Sequence, residues 1–127
     1  MAPSGRGYLG CMATTAELNT KLDEAIFSGK ALEAFEEHYA EDVVMQDNTD
    51  PPWEGKDFNR QRELEFFATV EAWHGGKVLA AAAEGDVSFS ECEMDVTLKG
   101  VGRIQMTQVA VRRWKHGKIV HERFYHK

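Results

Sequence analysis

The 127-residue sequence predicts an α+β domain whose N-terminal helices gather on one face of a curved antiparallel sheet. Three observations carry that expectation. Helical periodicity is confined to the chain before about residue 74. Long alternating or β-rich runs fill the remainder. Short glycine-containing breaks separate those runs, which is the punctuation of a strand meander.

Thr14-Thr15-Ala16-Glu17 opens the ordered chain as a capping box, a threonine hydroxyl and a glutamate satisfying free amides reciprocally. Leu18, Leu22, Ala25 and Ile26 then share one helical face, and Ser28-Gly29 breaks the run. A second short helix follows, with Leu32, Phe35 and Tyr39 on one side and Glu33, Glu36 and Glu37 toward water. Residues 42–47 read as a short strand. Asn48-Thr49-Asp50-Pro51-Pro52 is loop chemistry, because each residue favours turns and proline cannot donate to a ladder. Helical spacing returns over residues 57–73, with Leu64, Phe66, Phe67, Val70 and Trp73 as a broad apolar side. His74-Gly75-Gly76 reads as its stop.

Four strands are expected after that, at residues 78–83, 87–98, 104–114 and 119–125. Glu84-Gly85-Asp86, Lys99-Gly100-Val101-Gly102 and His116-Gly117 turn them, the last as a two-residue hairpin connection. Antiparallel strands of this length twist and curl. Helices laid over such a sheet leave room for a small-molecule pocket.

Composition narrows the function classes. A 43% hydrophobic and 28% charged chain is globular in character, and its length suits one domain. The formal charge of −6 argues against nucleic acid as a partner. No run approaches the roughly 18 apolar residues of a membrane span, so no membrane contact is expected. Residues 1–13 have no apolar block and read as a flexible tail, leaving residues 14–127 as the domain. Cys11 and Cys92 fit neither a disulfide framework nor a zinc site, and a cytoplasmic setting is expected. No metal site is expected: His121 and His126 point to opposite faces of a strand, and His38, His74 and His116 sit at separate element ends. No phosphate loop, dinucleotide fingerprint or Ser-His-Asp order is present, so no cofactor is expected.

Three marks stand in order along the chain: His38-Tyr39-Ala40-Glu41-Asp42-Val43-Val44-Met45-Gln46-Asp47, then Pro52-Trp53-Glu54-Gly55-Lys56, then Trp114 to Val120 followed by Glu122-Arg123-Phe124-Tyr125. Together they resemble the SnoaL-like branch of the cone-shaped fold shared with nuclear transport factor two and ketosteroid isomerase. The resemblance covers roughly residues 14–127. It implies three helices on a strongly curved, mostly antiparallel sheet, a cystatin-like, cone-shaped α+β barrel. That fold hosts isomerases, cyclases, dehydratases, hydrolases and binding modules, so it does not name an activity.

The resemblance to ketosteroid isomerase implies Asp47 as a general base, at the end of the short strand. The other reading of Asp47 is a turn residue leading into Asn48. The isomerase's oxyanion donors are missing: Leu22 stands at the tyrosine position, and the pocket side of the third long strand runs Met106, Gln108, Ala110, Arg112. On the last strand Val120, Glu122, Phe124 and His126 should face the pocket, with Ile119, His121, Arg123 and Tyr125 outward. His126 is then either an acid or base oriented by Glu122, or a solvated chain end. Glu122 is either catalytic or the ion-pair partner of Arg112. Tyr39, Trp53, Phe67, Gln108, Arg112, Trp114 and Phe124 complete the expected binding residues, with the Pro-Pro-Trp loop as a wall or lid. Two functions are expected in competition. One is an isomerase, cyclase or lyase acting on a small apolar carbonyl compound. The other is a non-catalytic binding or dimerisation module, forming a homodimer through Val109, Val111, Ile119 and Tyr125 on the outer sheet face.

Overall fold

A computed structural model describes residues 13–127. The expected tail, with Cys11, lies outside the described residues except for Ala13. The elements run α1 (Thr15–Phe27), α2 (Ala31–His38), β1 (Tyr39–Asp47), β2 (Trp53–Glu54), α3 (Lys56–Thr69), β3 (Val70–Glu84), β4 (Val87–Leu98), β5 (Gly102–Lys115) and β6 (Lys118–His126). The strands form one sheet in the order β2-β1-β6-β5-β4-β3. Every neighbouring pair is antiparallel except β1 with β6. Register shifts interrupt three of those pairings, and each one bends the sheet further around the helices.

The capping box forms as read. Thr14 Oγ1 accepts from Glu17 N at 3.1 Å, and Glu17 Oε1 accepts from Thr14 N at 2.8 Å. Gly29, at φ 84°, lets the chain leave α1 in a left-handed turn. Phe35 and Tyr39 stack with ring centroids 4.7 Å apart, so α2 passes directly into β1. The core lies at this end of the molecule, where Leu22, Phe35, Tyr39, Val43, Met45, Trp114 and Ile119 are buried together. In the hairpin just beyond Trp114 and Ile119, His116 and Gly117 have φ 54° and 76°, the positive pair that a two-residue connection requires.

Five expectations are corrected. The third helix ends at Thr69, not Trp73, because Val70 and Trp73 pair with Leu98 and Val96 of β4. The apolar spacing there also suits a strand, and ladder bonding decides the matter. Gly75-Gly76, read as a helix stop, lies inside β3 beside one of its register shifts. Tyr39 begins β1 rather than ending the second helix, and β1 starts three residues earlier than the strand read from the sequence. Leu64 is 45% exposed. The inward face of α3 is instead Lys56, Asn59, Glu63, Phe66 and Phe67, spaced at i, i+3 and i+4.

The fifth correction concerns β6. Arg112 pairs with Glu122, but Trp114 pairs with Ile119, so one extra residue sits in β6 between them. That bulge turns Ile119 inward, where it is fully buried, and takes Val120 off the pocket-facing set. Ile119 therefore leaves the outer face on which a dimer contact was expected.

Gly76 marks a close approach. A Cβ built there would lie 2.7 Å from Phe27 Cε1 and 2.9 Å from the Glu93 carbonyl oxygen on β4. The ring can swing away but the ladder carbonyl cannot. Gly76→Ala is expected to destabilise the fold by about 1–3 kcal/mol, as overpacking does. Urea unfolding checks this, and an unchanged midpoint would show that β3 and β4 separate freely here.

Candidate active site

Between α1, α3 and the concave sheet face lies a cavity of about 310 Å³. Strand register arranges its floor in rows. His126, Gln108 and Cys92 stand side by side across β6, β5 and β4, with Phe124, Ala110 and Ser90 in the next row and Glu122, Arg112 and Ser88 in the third. Asp47 and Met45 of β1 flank the second and third rows, Asp47 opposite Phe124 and Met45 opposite Glu122. Leu22 and Phe27 of α1 and Glu63, Phe66 and Phe67 of α3 roof it. Its apolar walls suit a small, largely apolar ligand.

The innermost polar groups are fully engaged. Arg112, 2% exposed, donates from Nε to Glu122 Oε2 at 2.7 Å and from Nη1 to Asn19 Oδ1 at 2.7 Å and Asp23 Oδ1 at 2.8 Å. Tyr39 donates its hydroxyl to Glu122 Oε1 at 2.6 Å. Ser90 donates to Asp23 Oδ2, Ser88 to Asn19 Oδ1, and Trp114 Nε1 to Ser88. Burial works against the Arg112 charge, but Glu122, Tyr39 and Asp23 outweigh it and hold the guanidinium protonated. Burial, seconded by the Glu122 charge, pushes the Tyr39 phenol well above its usual range, so it stays neutral. Glu122 thus has both oxygens occupied, the ion-pair arrangement with Arg112 that the sequence left open.

The outer groups are less committed. The turn after β1 closes through main-chain atoms, Asp50 N to Asp47 O at 2.9 Å, and leaves the Asp47 carboxylate turned to the cavity. Its Oδ1 lies 3.8 Å from His126 Nε2, and the two side chains are 34% and 26% exposed. His126 is tied into β6 rather than trailing: its N–H donates to Asn48 Oδ1 at 3.0 Å. Gln108, Phe67 and Phe124 also line the cavity, as expected.

Two expected binding residues do not. Trp114 packs in the core with its indole N–H bonded to Ser88. Trp53 pairs with Met45 on β2, and its ring face is covered by the Arg62 guanidinium, 3.3 Å from the ring centroid. The Pro-Pro-Trp loop is therefore not a wall of the cavity and reaches it through Arg62 alone among the lining residues described. Among the described residues no group of three or more His, Cys, Asp or Glu is placed to hold a metal ion.

Glu63 was missed by the sequence reading. It is half-buried, lines the cavity, and has no hydrogen-bond partner for its carboxyl among the described residues. Burial, reinforced by the nearby Glu122 charge and opposed by Arg62, pushes its carboxyl up to about 7. The available signal was its spacing of four from Asn59 and of three and four from Phe66 and Phe67. Asn59, fully buried, fixes that face by donating to the Trp53 and Gly55 carbonyls at 3.0 and 2.8 Å. Cys92 also lines the cavity, but burial pushes its thiol up to about 11, and it stays an unreactive thiol.

A carboxyl raised from 4.5 to about 7 binds its proton more tightly folded than unfolded. Its contribution to stability is present below about pH 4.5 and is lost as pH rises through about 7. From pH 5 to 8 the native protein should lose about 2–3 kcal/mol more stability than Glu63→Gln, taking about 1.4 kcal/mol per pKa unit. Parallel urea-unfolding profiles for the two proteins would show that the carboxyl is not desolvated.

Residues 13–126 match the family model described as a SnoaL-like domain. No curated protein matches the sequence. Among solved structures, a Mesorhizobium loti protein provisionally described as a SnoaL-like polyketide cyclase is similar at 31% identity and TM-score 0.80, the match covering 89% of this chain and 99% of that one. A Catenulispora acidiphila protein with a ketosteroid isomerase-like fold, in complex with trimethylamine, superposes with TM-score 0.71 at 19% identity, over 88% and 86% of the two chains. An M. tuberculosis LEH-like epoxide hydrolase superposes with TM-score 0.73 at 14% identity, over 89% and 82%. The last two share the cone-shaped α+β fold, and nothing more follows from them. The match over the whole described fold, with a relative this similar across nearly its full length, makes the chain a member of the SnoaL-like family.

Proposed function

We propose that this SnoaL-like protein is a cofactor-independent isomerase, cyclase or lyase acting on a small, largely apolar carbonyl compound, with Asp47 as general base. The observation that carries the reading is the Asp47 carboxylate itself: turned into an apolar cavity, not used by its own turn, and 3.8 Å from His126. Asp47 takes a proton from the carbon next to the carbonyl, and the C–H electron pair moves into an enolate. His126, when protonated, balances the carboxylate and holds its orientation. Gln108, beside His126 in the register, offers an amide donor to the substrate. Glu122 and Arg112 take no proton in this scheme; they hold the floor on which the others stand. The Mesorhizobium loti relative's description as a polyketide cyclase supports the same class of chemistry.

A second reading has its own observation. Phe89 and Tyr125 are 40% and 43% exposed on the outer sheet face, in register with Val111 and Val109 respectively. We propose this strip, without Ile119, as a homodimer contact, which an enzyme or a non-catalytic binding module would share.

2-Tetralone, an aromatic ketone with acidic α-hydrogens, tests the base. In deuterated buffer the wild type should accelerate exchange at its C1 position, and Asp47→Asn should lose about 10²–10⁴-fold of that rate with its circular dichroism unchanged. Equal exchange in the two proteins would remove Asp47 from the chemistry. For the second reading, sedimentation should give a dimer for the wild type and a monomer for Val109→Asp. A wild-type monomer at high concentration would overturn it.

A further inference from the structure

We infer that Glu63 is a further acid–base residue of the cavity, whose neutral carboxylic acid donates a hydrogen bond to the carbonyl oxygen of the bound substrate. The inference deepens the general-base reading and rests on it for the identity of the ligand as a carbonyl compound.

Three observations lead there. The first is position. Glu63 projects from α3 onto the same cavity as Asp47, while Gln108, Ala110 and Arg112 line the opposite, sheet side. The second is vacancy of function: Glu122 and Asp23 have every carboxylate oxygen engaged by Tyr39, Arg112 or Ser90, and Glu63 has no partner among the described residues. A carboxyl that faces a cavity, with no partner among the described residues, is placed for a ligand.

The third is charge. The groups facing this part of the cavity are Tyr39 and Asp47 from β1, Arg62 from α3, Cys92 from β4, Arg112 from β5, and Glu122 and His126 from β6, with Asp23 of α1 behind Arg112. Arg112 is already shared by Asp23 and Glu122. Arg62 is stacked on Trp53 and donates to Asn59 at 3.1 Å. A third carboxylate here would lack a cation of its own, so the proton is retained, in keeping with the upward shift of this group.

A neutral acid is a donor where an ionised one is not. Leu22 and Ala110, which line the same cavity, offer no side-chain donor. As Asp47 removes the α-proton, negative charge develops on the carbonyl oxygen, and the Glu63 O–H strengthens its hydrogen bond to it. In full transfer the O–H bond breaks, the proton passes to the oxygen to give the enol, and Glu63 is left as carboxylate. The reverse transfer restores it, so no co-reactant is consumed.

Binding of 2-tetralone, with its hydrocarbon counterpart tetralin as control, tests this apart from turnover. In Glu63→Leu the ketone's affinity should fall about five- to tenfold, the range of one lost hydrogen bond, with tetralin's affinity not reduced. The wild type should bind the ketone more weakly as pH rises through about 7. Glu63→Gln, which keeps an N–H donor, should restore affinity and remove that pH dependence. Equal ketone binding in wild type and Glu63→Leu, a flat wild-type pH profile, or no ketone binding at all would overturn the inference. Asp47→Asn should bind the ketone as the wild type does. Normal Glu63 behaviour with unimpaired exchange in Asp47→Asn would overturn the general base and leave the donor standing.

Discussion

A guanidinium taken out of water must be answered by acceptors, and Arg112 draws its answers from across the fold. Asn19 and Asp23 come from α1, Glu122 from β6, Tyr39 from β1 through Glu122, and Ser88 and Ser90 from β4 through Asn19 and Asp23. Removing Asp23 or Glu122 would leave a buried charge short of its partner, which typically costs about 3–5 kcal/mol. The network therefore sets how close α1 sits to the sheet and how β1, β6, β5 and β4 follow one another beneath it. The cavity is the space that remains once that spacing is set.

This arrangement divides the acids in and behind the cavity by role. Asp23 and Glu122 are held by the Arg112 cation and serve structure. Asp47 and Glu63 are not, and they approach the same space from different elements, one at the end of β1 and one on α3. Two carboxyl groups in unlike surroundings is the condition under which one acts as base and the other as acid near neutral pH. Asp47 stands beside His126. Glu63 is half-buried and has the Glu122 charge near it.

Much of this was legible in the sequence, for reasons that can be named. The capping box at Thr14 and Glu17, the His116-Gly117 turn and the β4 limits are local features, and local chemistry decides them. Gln108, Phe124 and His126 were placed on the cavity by strand alternation, which survives wherever the register is regular, and Asp47 by the family resemblance. Reading failed where alternation breaks or periods overlap. The bulge in β6 turned Ile119 inward and removed Val120 from the cavity. Val70 and Trp73 satisfied a helical period but found ladder partners in β4. Glu63 lay one position from Leu64, about 100° around the helix, and hydrophobicity pointed to the wrong one. Trp53 and Trp114 were taken for pocket residues because large aromatics suit both roles, and contacts with Arg62 and Ser88 decided otherwise.

The division of roles in the cavity requires one of its acids to be free of the Arg112 network and protonated near neutral pH. Carboxyl-carbon NMR of glutamate-labelled protein measures that directly. One glutamate resonance should titrate near pH 7 and vanish in Glu63→Gln, with the fold otherwise unchanged. If that resonance titrates in the ordinary carboxylate range, about 4–5, Glu63 is solvated and ionised like any surface acid, and the division of roles drawn here is contradicted.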